Sequence, residues 1–254
     1  MSQAPQRIIC LSAEAADWLW RIGAWERVVG VTAFFKVPPN AAAKPRVSGF
    51  SKAQFEEIAA LRPDLVVTFS DVQAALAAEL IRRGFAVLAT NQRTLAEIEA
   101  TLSMLGRVVD CEVQAERWLS EFRGRLAPVE RVEAPPRVYF EEWNKPLVAG
   151  ISWVSELIER AGGEDLFAKF QGKRSAAERQ VSPEEVCEGD PEIILASWCG
   201  VPLRKAEISS RPGWSGIAAV RDGRVFEIPG EDILQPGFRL VHGYELTKQL
   251  LRRS

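Results

Sequence analysis

The chain holds a single histidine, His242, among 254 residues. That count excludes a zinc or manganese site built on several imidazoles, and no Ser-His-Asp triad can form unless His242 serves it. His242 lies in "FRLVHGYELTKQLL", which reads as a helix, so it is expected to be a surface or packing residue. Cysteine is also sparse. Cys10, Cys111, Cys187 and Cys199 stand far apart, form no CxxC pair, and are expected to be reduced and structural. No metal site is expected. Charge of one sign is lacking as well: 32 basic residues face 34 acidic ones, scattered along the chain, which argues against a nucleic-acid partner. No apolar run approaches the roughly 20 residues that cross a bilayer. No charged-then-apolar leader opens the sequence, because "IICL" is short and sits where a first core strand belongs. The chain is therefore expected to be cytoplasmic or a mature exported form. There is no glycine-rich phosphate loop, no HExxH and no GxSxG. Glu141 and Glu142 are adjacent in "YFEEW" and would point to opposite faces of a strand, so they are not read as an acid/base pair. No enzyme is expected.

What is present is an alternation of short β-branched runs with helical patterns. "RIICL", "RVVGVT", "DLVVTF" and "FAVLAT" read as strands in the first hundred residues, separated by the helical "EAADWLWRIGA", "KAQFEEIAAL" and "VQAALAAELIRRG". An irregular stretch holds Pro38, Pro39 and Pro45. From Thr94 to about Val132 there is no strand signal, and apolar residues recur at three and four, which predicts two helices. The second is expected to run about 20 residues, or about 30 Å. The rhythm then restarts with "RVYFEEW", the helix "SWVSELIERAGG" capped at Ser152, "SPEEV", "PEIILASW", "GRVFEI" and a closing helix. The pattern predicts an α/β protein of two Rossmann-like lobes with mostly parallel sheets, joined by a long connecting α-helix. The expected division is an amino-terminal lobe over 1–108, a connecting helix over 109–133 and a carboxy-terminal lobe over 134–254.

One sentence is written twice. "FEEIAALRPDLVV" from Phe55 and "PEEVCEGDPEIIL" from Pro183 align without a gap, with Glu56 opposite Glu184 and Pro63 opposite Pro191. Each copy reads as helix, turn and buried strand, one in each lobe. Two lobes create a cleft, a common place for small-molecule sites. The loops at the strand ends are rich in aromatics: Phe34, Phe50 and Phe69 in the first lobe, Trp143, Trp153 and Trp198 in the second. Aromatic faces suit a bulky, flat ligand. Trp18, Trp20, Trp25 and Trp118 lie in helical patterns and read as core.

The stretches "RIICLS", "VVGVTAFFKVPP", "PRVSGF", "FEEIAALRPDLVV", "NKPLVAGISWVSELIERAGGEDLF" and "VSPEEVCEGDPEIIL" together resemble the class III substrate-binding proteins of ABC importers, most closely the cobalamin binders among them. The resemblance runs over roughly Arg7 to Leu250. It implies the class III periplasmic binding protein fold, a non-enzymatic role, and a corrinoid or similarly large ligand held in the inter-lobe cleft. No resident cofactor is implied, only the ligand, for which cobalamin leads. It also implies that Glu56 and Glu184 dock on a permease dimer of an ABC importer if the chain is exported, and that the protein is a periplasmic monomer. By motif position Phe34 and Phe50 match aromatic ligand contacts of the family. Two other such positions carry Glu178 and Leu147 here, and Trp143, Trp153 and Trp198 are expected to substitute. The alternatives are a cytosolic corrinoid-handling or sensing protein on the same fold, and a ferric-siderophore or haem binder.

Overall fold

The computed structural model describes residues 4–49, 52–130 and 133–252. The chain divides into two compact units, Met1–Gln92 with Ala96–Phe122, and Arg93–Leu95 with Arg123–Ser254.

The first unit is built on a five-stranded, wholly parallel sheet. Its strands are β1 (Ile8–Cys10), β2 (Val28–Thr32), β3 (Arg46–Ser48), β4 (Leu65–Phe69) and β5 (Val87–Thr90), in the order β3-β2-β1-β4-β5. The helices are α1 (Ala13–Arg21), α2 (Phe55–Ala60), α3 (Ala74–Arg82) and α4 (Leu95–Val108), with α5 (Glu112–Arg125) after them. Central strand β1 is fully buried, as a continuous apolar run in a covered parallel sheet should be. α1 packs its apolar stripe inward, and Trp18, with no exposure, donates its indole N–H to the Leu102 carbonyl at 2.8 Å. α3 ends at Gly84, whose φ of 86° is open to glycine at no steric cost. β3 lies inside the proline-bearing stretch read as irregular. Three residues are too few to show a period of two, and only the ladder to β2 marks them as strand. α5 has 14 residues, about 21 Å, shorter than the expected 20. The line between the units passes through it, between Phe122 and Arg123.

The second unit carries β6 (Arg137–Asn144), β7 (Leu147–Ala149), β8 (Glu164–Asp165), β9 (Ile193–Ala196) and β10 (Val225–Glu227), ordered β10-β9-β6-β7, with β8 pairing β6. Only the β6–β7 pair is antiparallel. Its helices are α6 (Ser152–Arg160), α7 (Pro183–Gly189), α8 (Lys205–Ser209), α9 (Ala218–Arg221), α10 (Gly230–Ile233) and α11 (Leu240–Leu251). Ser152 is the first helical residue of α6 and not its cap. Its hydroxyl instead accepts from the Gly172 N–H at 3.1 Å. α7 starts as its sequence announces: Ser182 Oγ accepts from Glu185 N at 3.1 Å, and Glu185 Oε2 accepts from Ser182 N at 2.9 Å.

The written repeat is a structural repeat. α2 leads into β4 and α7 leads into β9, and each helix ends on a left-handed residue before proline, Arg62 (φ 46°) and Asp190 (φ 40°). Arg7 Nε, beside β1, donates to the Leu61 and Arg62 carbonyls at 2.9 and 3.1 Å. Arg137, opening β6, donates from Nε and Nη2 to the Asp190 carbonyl at 3.1 and 2.9 Å. The acid after the proline then returns a bond. Asp64 Oδ1 accepts from Arg7 N, and Glu192 Oε2 from Arg137 N, both at 2.9 Å. The ladders keep register too: Ile9 faces Val66 as Tyr139 faces Ile194, and Val66 faces Val87 as Ile194 faces Val225.

Candidate functional site

In each unit the carboxyl ends of the strands gather the residues that could hold a ligand, as expected for open α/β sheets. In the first unit Phe34 follows β2 and is 49% exposed, and Phe69 closes β4 half-buried. These two strands flank β1. Phe50 lies outside the described residues. In the second unit Trp143, near the end of β6, is half-buried against the core and donates its indole N–H to the Lys145 carbonyl at 2.9 Å.

Trp153 and Trp198 depart from the expectation of rim aromatics. Trp153, in α6, is 2% exposed and donates to the Ile233 carbonyl at 2.8 Å. Trp198, just past β9, is 4% exposed and shares a core cluster with Ile208, Trp214 and Ile217. The physical reason is the segment after it. α8 and the turn through Trp214 fold back over the strand end, and Arg211 reaches from that segment to Glu141. The exposed or half-exposed aromatics among the described residues in the proposed set are therefore Phe34, Phe69 and Trp143. Leu147 is core and Glu178 caps a short helical turn through the Ser175 N–H and hydroxyl, so neither stands as a ligand contact.

The adjacent acids of β6 are structural. Glu141, with no exposure, takes Arg211 Nη1 and Nη2 at 2.5 and 2.8 Å, the Trp198 indole N–H at 2.9 Å and the Tyr139 hydroxyl at 3.2 Å. Glu142 takes Arg179 Nη1 and Nη2 at 2.7 and 3.1 Å, and Arg179 is itself 2% exposed. A buried carboxylate with a two-pronged guanidinium partner is stable where it sits, and both loops are pinned by it. Burial and the Glu141 charge push the Tyr139 phenol up.

Sequence reasoning missed one group. Glu14, in the first turn of α1, is 7% exposed, and burial raises its carboxyl to about 7, against weaker help from its own N–H and Ser12. The stretch "CLSAEAADWLW" carries two acids, Glu14 and Asp17, and nothing local in it marks Glu14 as the one without a cation.

The two acidic helix starts are exposed. Glu56 accepts from Arg83 Nη1 at 3.0 Å, with that guanidinium stacked 4.4 Å over Phe55. Glu184 makes no ion pair among the described residues, while its neighbour Glu185 pairs with Lys169 at 3.0 Å. The Ser182 N–H and Lys169 hold the Glu185 carboxyl below the usual range. His242 is a half-exposed helix residue 3.6 Å from Asp232. Among the described residues no helix is long and apolar enough to cross a membrane.

Residues 8–231 match the family model described as periplasmic binding protein. The chain belongs to the periplasmic binding protein family. It is 28% identical over 198 residues to the vitamin B12-binding protein of Vibrio campbellii, covering 76% of this chain and 70% of that one. It is 26% identical over 256 residues to the cobalamin-binding protein of Halobacterium salinarum, covering 95% and 68%. Among solved structures it is similar to the periplasmic vitamin B12 binding protein of Vibrio cholerae, at TM-score 0.73 and 23% identity over 98% of this chain and 97% of that one. A periplasmic heme binding protein of Pseudomonas aeruginosa superposes at TM-score 0.79 and 20% identity, over 98% and 94%. At such identities the structural likeness establishes the fold, a class III binding protein of two α/β units, and leaves the ligand to other arguments.

Proposed function

We propose that this member of the family is a non-enzymatic, periplasmic carrier of a corrinoid, most simply cobalamin, that delivers its ligand as a monomer to an ABC importer. The observation that carries the ligand is the sequence likeness, over 76% and 95% of the chain, to two proteins named for vitamin B12 and cobalamin. The aromatics support it. Phe34, Phe69 and Trp143 stand at strand ends with surface to offer, and a corrin macrocycle buries a wide apolar face. Buried Arg179 and partly exposed Arg211 are committed to Glu142 and Glu141, which leaves these two cations no free charge for an anionic siderophore.

The delivery step is read from Glu56 and Glu184. Each stands exposed in the first turn of an equivalent helix, so the two units offer the same acidic feature to basic residues of a permease dimer. Such charge matching governs encounter rate and orientation. The test of the ligand is calorimetry and visible absorbance of the purified protein with cyanocobalamin and with cobinamide. One site at micromolar affinity or tighter is the expected result. Binding of haemin or a ferric siderophore with neither corrinoid would overturn it.

A further inference from the structure

The carboxyl end of β1 carries two buried polar side chains, each with an oxygen that the rest of the fold leaves unsatisfied. Ser12 occupies the N-cap of α1 with the extended backbone of a cap, φ −119° and ψ 141°, yet its side chain makes no capping bond. Glu14 follows in the first turn. Ser12 is 5% and Glu14 7% exposed, and apart from the help each gives the other, neither Ser12 Oγ nor Glu14 Oε1 has a hydrogen-bond partner in the fold. A third such oxygen, Ser48 Oγ, stands at the end of β3 on the same sheet edge. Buried polar atoms without partners are few in folded proteins and each asks for a cause. First-turn glutamates normally lie in water, ionised, where the helix dipole favours them. This one is buried, and burial raises its carboxyl to about 7.

Its position relative to the aromatics gives it a use. β1 lies between β2 and β4, so the polar pair follows a strand whose two neighbours, roughly 10 Å apart, lead to Phe34 and Phe69. A neutral carboxyl beside a hydroxyl offers donors and acceptors side by side and no net charge. A carboxylate on the ligand would meet a second acid there, and an ammonium would force Glu14 to ionise. A primary carboxamide matches both demands, since its C=O accepts from the carboxyl O–H while its N–H donates to the carboxyl C=O.

We propose that Ser12 and Glu14 form a receptor for a primary carboxamide of the bound ligand. The inference rests on the corrinoid reading, because a corrin bears primary carboxamides around its rim, whereas haem bears carboxylates. It adds a specificity-determining pair for that ligand class.

The experiment compares wild type, Glu14→Gln and Glu14→Ala by calorimetry, each with cyanocobalamin and with a corrinoid whose rim amides are hydrolysed to carboxylates. Loss of one paired site inside a buried receptor is expected to weaken amide-ligand binding by about tenfold or more in Glu14→Ala. Glu14→Gln, which keeps a donor and an acceptor, should stay within about threefold of wild type by the same arithmetic. Wild type should prefer the amide ligand, and Glu14→Ala should lose that preference. Equal amide-to-acid affinity ratios in wild type and Glu14→Ala would overturn the receptor while leaving the corrinoid reading intact. Failure of wild type to bind cyanocobalamin would overturn both, and the wild-type titration alone tells these cases apart.

Discussion

Glu14→Gln should stabilise this protein, and the gain should grow with pH. The Glu14 carboxyl titrates near 4.5 when solvated and at about 7 in the fold. A raised carboxyl pKa means that the fold prefers the neutral form. Below the unfolded value both states are protonated and the group costs nothing. Between 4.5 and 7 the unfolded chain ionises and the folded one resists, so stability falls as pH rises, reaching a plateau above about 7. The full cost is about 3 kcal/mol, from about 1.4 kcal/mol per pKa unit. Glutamine cannot ionise and escapes it. Any pH-independent effect of the amide cancels when the gain at pH 5 is subtracted from that at pH 8, leaving about 2.5 kcal/mol from the same linkage. In a chain of this length, melting as one unit, that is about 5 °C in the melting temperature. Differential scanning calorimetry of both proteins at pH 5, 6, 7 and 8 reads it directly. Parallel pH curves for wild type and variant would refute the reasoning, since they would mean that Glu14 titrates alike in both states.

Three further outcomes follow from the site. Arg211→Ala strands Glu141, which has no exposure, and should lower the stability of the second unit by about 3–5 kcal/mol in urea melts followed by tryptophan fluorescence; an unchanged midpoint would contradict the clamp. Trp198→Ala should cost about 3–5 kcal/mol as a cavity in the core, whereas Trp143→Ala should cost less than half that and weaken corrinoid binding about tenfold. A stable Trp198→Ala protein that fails to bind would reverse these roles. Glu184→Ala should slow association with the importer more than Glu56→Ala does, because Arg83 already engages Glu56; Arg83→Ala should narrow the gap, read as association rates at low salt.

The fold was legible because its signals were local and repeated. β-branched runs, the Ser182 capping box and the doubled helix-proline-strand sentence each carry their own geometry. β3 and β7 escaped because three residues flanked by prolines and turns show no period, and only their neighbours make them strands. The site was less legible. A tryptophan after a strand has the same local sequence whether it faces solvent or core. What decides for Trp198 is a segment more than ten residues on, which brings Arg211 back to Glu141. Glu14 was hidden for the converse reason: first-turn acids are so common at helix starts that only its burial sets it apart.

The repeat itself sharpens the case for the first unit's edge. Where function asks only for a scaffold, the two units agree: Arg7 and Arg137 brace the turn, and Asp64 and Glu192 return the bond. Past the third residue of β1 and its counterpart in β6 they part. Leu11 and Ser12 stand where the second unit has Glu141 and Glu142, and that unit balances buried Glu141 and half-buried Glu142 with two arginines of its own. The first unit places Glu14 at the corresponding edge and supplies no cation, although Arg21 is only two helical turns away and is spent on Asp17 at 2.7 Å. A duplicated scaffold had a ready solution for a buried carboxyl, and the second unit uses it to pin its own loops. Leaving the same problem unsolved at β1, at a cost of about 3 kcal/mol at neutral pH, is what a surface kept for another molecule's hydrogen bonds would do.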